Sequence, residues 1–212
     1  MNRSPVRGAA RLAAILDALP DALLLVDGSS TVVNANAAAL ELFEERGYEH
    51  TTLAEIAERA GLTKTTFFRH FPDKREVLFG GAAMSGLLAA AIAAAPASAT
   101  PFEAIAHALD SVGREAFTAD RREFSARRRA VIAANPELRE REALKGLDLI
   151  ASMIDALKRR GVPNLVSCVA AELGALALKI AYERWGDTAD GDDFGDLARR
   201  TLGDLQAAIA LC

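Results

Sequence analysis

Two cysteines, one tryptophan, two tyrosines and three histidines are all that a chain of 212 residues carries of the side chains that most often ligate metals, bridge chains or stack on ligands. Cys168 and Cys212 stand far apart and match neither a metal-ligand spacing nor a disulfide framework, which fits a reducing compartment. His50, His70 and His107 form no cluster with cysteines or carboxylates, and neither a phosphate-cradling glycine loop nor a nucleophile elbow occurs. The run DTADGDD at 187–193 has the composition of a calcium loop but lacks the glutamate at its twelfth position, so it reads as solvated loop. No catalytic residue, no metal and no cofactor is expected; the chain is not read as an enzyme.

An excess of positive charge is missing as well. The formal net charge of -4 excludes a protein that coats nucleic acid or anionic membrane indiscriminately, while leaving room for a local basic surface. The apolar run about Gly86–Ala95 is too short to cross a bilayer, and the N-terminus lacks the arrangement of a secretory signal. A soluble, cytoplasmic protein with no membrane partner is expected. Strand-like runs are scarce after the first 35 residues, and alanine and leucine abound in a chain that is 51% apolar; this points to an all-α fold.

The first third has two textures. LAAILDALPDALLLVDGSSTVVNAN, Leu12 to Asn36, reads as a short helix stopped at Pro20, then two apolar runs about Asp27-Gly28-Ser29-Ser30, which suggest a β-hairpin. From Asn36 the period becomes helical: Ala39, Leu40 and Phe43 face inward, Glu41, Glu44 and Glu45 outward, and Gly47 ends the helix. A second helix starts at Thr52, whose hydroxyl caps it while Glu55 reaches back to complete a capping box. Leu53, Ile56, Ala57 and Ala60 form its buried stripe. Gly61 supplies the positive φ that closes it, and Thr63 caps a third helix on which Phe67 and Phe71 face inward.

That leaves Lys64, Thr65, Phe68 and Arg69 pointing outward. Two short helices joined by a tight glycine turn, the second with an outward cationic face, have the layout that places a recognition helix in a major groove. Lys64, Thr65 and Arg69 are candidates for base edges or phosphates, and Thr51, His70 and Lys74 suit phosphate oxygens, Lys74 with help from the backbone amides of a fourth helix capped by Asp73. Thr52, Thr63, Thr66 and Phe68 complete the candidate DNA-binding set. From Ala60 to Arg75 the charge is +3, four cations against Asp73. The bland alternative is a solvated helix pair inside an α-bundle.

ALELFEERGYEHTTLAEIAERAGLTKTTFFRHFPDKREVLF resembles, almost position for position, the DNA-binding domain of the tetracycline-repressor (TetR) family. Gly47-Tyr48, Thr51-Thr52, Ile56-Ala57, Ala60-Gly61, Phe71 and Lys74 fall where that family repeats a Gly-Tyr, a Thr-Thr, an Ile-Ala, an Ala-Gly, a Phe and a Lys. Two departures stand out. Phe68 replaces a tyrosine whose hydroxyl touches phosphate in many relatives, and His70 takes a position where some carry an aromatic hydroxyl.

Beyond Phe79 the pattern is helical throughout. Phe102, Ile105, Leu109, Val112 and Ala116 follow one stripe, Leu147, Ile150, Ile154 and Leu157 another, and Phe194, Leu197, Leu205 and Ile209 a third. Breaks at Pro96–Pro101, Ala134–Pro136, Gly161–Asn164 and Gly186–Gly191 leave five or six helices as a bundle. The segment Asn164–Tyr182 is apolar on almost every side and must be covered all round, by its own domain or by a second subunit.

RRRAVIAANPELRERE, ALKRRGVPN and ALKIAYERW resemble, more loosely, the ligand-binding domain of an actinobacterial subgroup of the same family, some of whose relatives respond to acyl-CoA thioesters. The resemblance implies a homodimer joined through the last two helices, with Leu173, Leu176, Ile180, Trp185, Leu197 and Leu205 as interface candidates, Trp185 being equally at home in a core. It also implies a small apolar or amphipathic effector, an acyl-CoA among the candidates, bound near Phe102, Ile105, Leu109, Phe117, Phe124, Arg128, Val131, Met153 and Leu176. Each of the apolar residues is equally a core residue, and Arg127-Arg128-Arg129 is equally an exposed arginine face.

The expected organisation is an N-terminal extension over 1–35, a helix-turn-helix domain over 36–80, and a helical ligand-binding and dimerisation domain over 81–212. The extension resembles the opening of a PAS sensor domain, of which the rest is absent. An added hairpin, a basic arm for the minor groove or a fusion artefact all accommodate it. The function expected is a regulator, a ligand-released repressor, of a palindromic double-stranded DNA operator. The other reading is a helical ligand-binding protein of the same fold that has lost operator binding or uses its leader for protein contacts.

Overall fold

Short polar breaks between long alanine- and leucine-rich stretches give a chain of helices, and a computed structural model describes residues 23–26, 31–64, 67–68, 71, 73–79, 83–187 and 192–211 of it. Strands β1 (Leu23–Val26) and β2 (Thr31–Asn34) pair antiparallel, Leu23 opposite Asn34 and Val26 opposite Thr31. This is the hairpin expected about Asp27-Gly28, whose turn itself lies outside the described residues. Then come helices α1 (Ala35–Arg46) and α2 (Leu53–Arg59), helical residues at Lys64 and Phe67–Phe68, and a 3-10 turn at Lys74–Leu78. Six longer helices follow: α3 (Ala83–Ala94), α4 (Pro101–Ala116), α5 (Arg122–Ala134), α6 (Pro136–Arg159), α7 (Asn164–Asp187) and α8 (Phe194–Ala210).

These elements fall into two compact units, one reaching to Ala83 and taking in Arg127–Glu142, the other comprising Met84–Ala126 and Ala143–Cys212. In this division Arg127–Glu142 groups with the N-terminal residues, whereas the expected organisation placed everything after residue 80 together. The corner where α5 meets α6 packs with the first unit because its side chains find partners there. Arg127 donates to the Glu44 carboxylate of α1 at 3.0 Å, Arg141 pairs with Glu76, and Leu138 is fully buried.

In the second unit α4, α7 and α8 pack against one another. Small residues set their spacing. A Cβ on Gly113 of α4 would stand 2.6 Å from the backbone nitrogen of Gly195 on α8, and one on Gly174 of α7 would stand 2.7 Å from Cγ2 of Ile105 on α4. Around these crossings Ala104, Ala108, Leu109 and Val112 meet Ala170, Ala177 and Ala181 and, from α8, Phe194, Ala198 and Leu202. α4 begins with a capping box, Thr100 with Glu103, and Pro101 in the first turn where a missing N–H costs nothing. Arg160, in the turn before α7, donates to the carbonyls of Ile92, Ala95 and Pro96 and so satisfies the orphan end of α3.

Two expectations about faces are corrected. On α6, Leu147 is 62% exposed, and the inward stripe is instead Leu149, Ile150, Met153, Ala156 and Leu157. On α8, Ile209 is exposed while Phe194, Leu197, Ala198 and Leu202 are buried. Within this one chain α7 is covered on one side. Ala170, Ala171, Ala177, Ala181 and Trp185 face the core, and Leu165, Val166, Val169 and Leu176 face out. By length and composition Asn164–Gly186 is apolar enough to cross a membrane, a test that the core helix of a soluble protein also passes.

Candidate nucleic-acid interface

The first unit is built outward from a turn. α1 ends at Gly47, whose φ of 85° is the left-handed conformation that glycine takes at little cost, with its N–H donating to the Phe43 carbonyl at 3.0 Å. Thr51 then closes the turn from inside. Its hydroxyl donates to the Gly47 carbonyl at 3.0 Å, and the residue is 2% exposed. Thr52 opens the next helix: Glu55 N–H donates to its Oγ1 at 3.3 Å, and its own N–H donates to the Glu55 carboxylate at 2.8 Å. The Thr-Thr pair thus divides its work between the end of α1 and the start of α2.

α2 closes on a Schellman motif. Gly61, at a φ of 71°, donates to the Glu58 carbonyl, and Leu62 donates to that of Ala57 at 2.8 Å. The chain turns at once into helix, with Phe67 N–H donating to the Thr63 carbonyl and Phe71 N–H to that of Phe67. Phe67 and Phe71 are buried with their ring centres 4.9 Å apart, and Ile56 and Ala57 are buried as well. Lys64 and Phe68, one turn apart, are therefore outside, and Phe68 is 45% exposed. The inward direction expected for Phe67 and Phe71 is the one found. Thr65, Thr66, Arg69 and His70 lie outside the described residues.

Two candidate DNA contacts sit elsewhere than expected. Thr51 is buried, its hydroxyl taken by backbone carbonyls. The Lys74 ammonium donates to the Tyr48 carbonyl at 2.8 Å and lies 4.0 Å from the centre of the Tyr48 ring. Thr63 is exposed, and Thr52, also exposed, holds its capping box. The surrounding arginines are paired: Arg59 with Glu41 and Glu45, Arg46 with Glu55, Arg75 with Asp73. Of the four cations counted in the +3 stretch, the described outward one is Lys64.

The candidate effector residues are divided between the two units. Arg128 and Val131 belong to the first unit, where the Arg128 Nε donates to the Leu78 carbonyl at 2.8 Å and the guanidinium lies over the Phe79 ring. Ile105, Leu109 and Met153 are buried in the second unit, Ile105 and Met153 close beside Gly174, whereas Leu176 is exposed. Phe102 and Phe117 are half-buried against the same core, and Phe124 is half-buried. Phe117 stacks on Phe194 at 3.9 Å between ring centres, with Trp185 edge-on to both. Trp185 is 1% exposed and Leu197 is buried, so both interface candidates lie within their own subunit. Nothing local in the sequence marks Glu44 and Glu76 as partners of the α5–α6 corner, or Glu137 of that corner as the partner of Tyr48; the paired residues stand too far apart along the chain.

Residues 37–80 match the family model described as bacterial regulatory proteins, tetR family. This segment is thus similar to the N-terminal domain of TetR-family regulators. A stretch of 75 residues of the chain is 44% identical to the HTH-type transcriptional regulator TcmR of Streptomyces glaucescens. That match takes in 35% of this chain and 33% of the relative, so the chain spans about a third of the length of TcmR. A solved structure described as a TetR-family transcriptional regulator, from Mesorhizobium loti MAFF303099, shares the fold with a TM-score of 0.52 at 23% identity, over 84% of this chain and 94% of its own. The TetR-like all-α architecture expected from the sequence is thus the one found, with the β1–β2 hairpin added.

Proposed function

We propose that the chain is a cytoplasmic transcriptional regulator of the TetR type, which binds a palindromic operator as a homodimer and is released by a small apolar or amphipathic ligand. The observation that carries the reading is the buried, ring-to-ring pair Phe67 and Phe71, with Lys64 and Phe68 exposed on the helical stretch that follows a tight glycine turn. A rigid helix with long donors in front is what direct readout in the major groove requires.

Support for the dimer comes from α7 and α8, which pack against each other. Leu165, Val169 and Leu176 recur on one exposed face of α7, joined by half-buried Leu173 and Ile180, and α8 adds half-buried Leu205 and exposed Ile209. An apolar face of this extent on a soluble protein marks a protein contact. The effector class, acyl-CoA thioesters included, rests on the resemblance of the C-terminal stretches. No feature of the described residues calls for an enzymatic step.

Selection of bound duplexes from a random pool, followed by challenge of the complex with a panel of acyl-CoAs and apolar metabolites, tests the reading. Enrichment of a palindrome and its release by one class of ligand are expected. A pool that stays random through repeated rounds would refute operator binding.

A further inference from the structure

We propose that Lys74 is a positioning residue of the DNA-binding unit and not a phosphate ligand: its ammonium holds the Gly47–Thr52 turn in place, and Glu137 of α6 holds the same turn from the other side through the Tyr48 hydroxyl. The inference rests on the DNA-binding reading and assigns one of its residues a different task.

An ammonium has three N–H donors. One goes to the Tyr48 carbonyl at 2.8 Å, a second is directed at the Thr51 carbonyl at 3.5 Å, and the Tyr48 ring centre lies 4.0 Å from the same nitrogen. A cation at that distance over an aromatic face is attracted by the ring quadrupole. The ring cannot swing away, because Tyr48 is buried with Phe43 edge-on at 5.1 Å. The ammonium is thus committed to the protein's own groups.

The backbone beside it offers a phosphate little. The 3-10 turn that begins at Lys74 is capped by Asp73, whose carboxylate accepts from the Arg75 N–H at 2.8 Å and from the Arg75 guanidinium. The Asp73 carboxylate already occupies that terminus and takes up the Arg75 amide and guanidinium that a phosphate would otherwise use.

Lys74 acts on the turn that joins α1 to α2. Thr51 fixes that turn to the end of α1, Thr52 fixes it to the start of α2, and Lys74 gathers the Tyr48 and Thr51 carbonyls within it. The Tyr48 hydroxyl donates to the Glu137 carboxylate across a longer 3.3 Å. Glu137 sits in the first turn of α6, so the start of that helix grips the turn from which α2 sets out.

Lys74→Met, which keeps the aliphatic stem, and Tyr48→Phe, which keeps the ring and the carbonyl, are compared with the wild-type full chain by amide hydrogen exchange without DNA. Exchange across 48–52 is expected to rise roughly tenfold or more in Lys74→Met and less in Tyr48→Phe; no change in Lys74→Met would overturn the proposal, whatever the protein does with DNA. With a selected duplex, Lys74→Met is expected to bind roughly tenfold more weakly with the slope of log affinity against log salt unchanged, whereas Lys64→Ala, which takes a cation away from one phosphate, lowers that slope by about 0.9. A fall of that size in Lys74→Met would identify a phosphate ligand and overturn the proposal. Failure of the wild type to bind any duplex would instead count against the DNA-binding reading, leaving the exchange result to decide this one.

Discussion

Gly113 of α4 and Gly195 of α8 meet backbone to backbone: a Cβ added to Gly113 would lie 2.6 Å from the Gly195 nitrogen and 2.7 Å from its Cα. Neither atom can rotate aside, as a flexible side chain would. Gly113→Ala should therefore push the helices apart and destabilise the second unit by about 1–3 kcal/mol, the usual cost of overpacking. Gly146 of α6 has nothing within 4 Å of its own Cβ position, so Gly146→Ala should stabilise by roughly 0.5–1 kcal/mol through helix propensity. Denaturant midpoints of the two variants are expected on opposite sides of the wild type; a shift in the same direction would contradict the crossing.

Trp185 and Leu176 lie on the same helix and should fail in different ways. Trp185 is enclosed by Phe117 and Phe194, with the Arg122 guanidinium 5.1 Å from its ring. Trp185→Ala should cost about 3–5 kcal/mol of stability, as large-to-small core changes do. Leu176 is 42% exposed, and Leu176→Glu should leave the fold intact while converting dimer to monomer. Sedimentation velocity and thermal unfolding, run on both, separate the two effects; a Leu176→Glu dimer as tight as wild type would move the interface elsewhere.

How far the sequence discloses these differences depends on the range of the interaction. Thr52 with Glu55 and Gly61 after Ala60 are contacts within one turn, so their residue types and spacing suffice. The Thr100–Glu103 box obeys the same rule and is equally legible. The phase of α6 is not, since Leu144, Leu147, Leu149 and Ile150 offer two overlapping stripes, and only the partners across the gap decide that Leu147 is outside. The grip of Glu137 on Tyr48 leaves no local trace at all. Nor does the inward turn of Lys74, because a lysine at the start of a helical turn looks the same whether it meets phosphate or a carbonyl.

Arg128 distinguishes a ligand site from a structural tie. Its Nε donates to the carbonyl of the fully buried Leu78, so Arg128→Ala should leave that acceptor unpaired and cost about 1–3 kcal/mol. Effector affinity, measured by calorimetry once an effector is in hand, should be unchanged within about twofold. Abolished effector binding with stability intact would restore Arg128 to the ligand site.

Stability should follow pH in a defined sense. The Arg59 guanidinium holds the Glu45 carboxyl below its ordinary value, the Thr52 hydroxyl and amide do so for Glu55, Arg75 for Asp73, and the Thr100 amide and hydroxyl for Glu103. Each group binds fewer protons folded than unfolded, so its contribution is present above the ordinary carboxylate range and is lost as pH falls through the lowered folded value. Tyr48 acts in reverse. Burial, then Glu137, raises its pKa above the ordinary 10.0, so its contribution is whole below that value and is lost as pH climbs beyond it. Denaturant midpoints should be highest between about pH 5 and 9 and fall on both sides. A midpoint at about pH 3.5 equal to that at pH 7 would contradict the paired carboxylates.

The most direct test of the central claim is the affinity of the wild-type chain for a selected palindromic duplex and for a scrambled duplex of the same length and composition, at physiological salt. A preference of about a thousandfold or more, with two protomers on each palindrome, is predicted. Equal affinity for the two duplexes, or no binding to either, would contradict it.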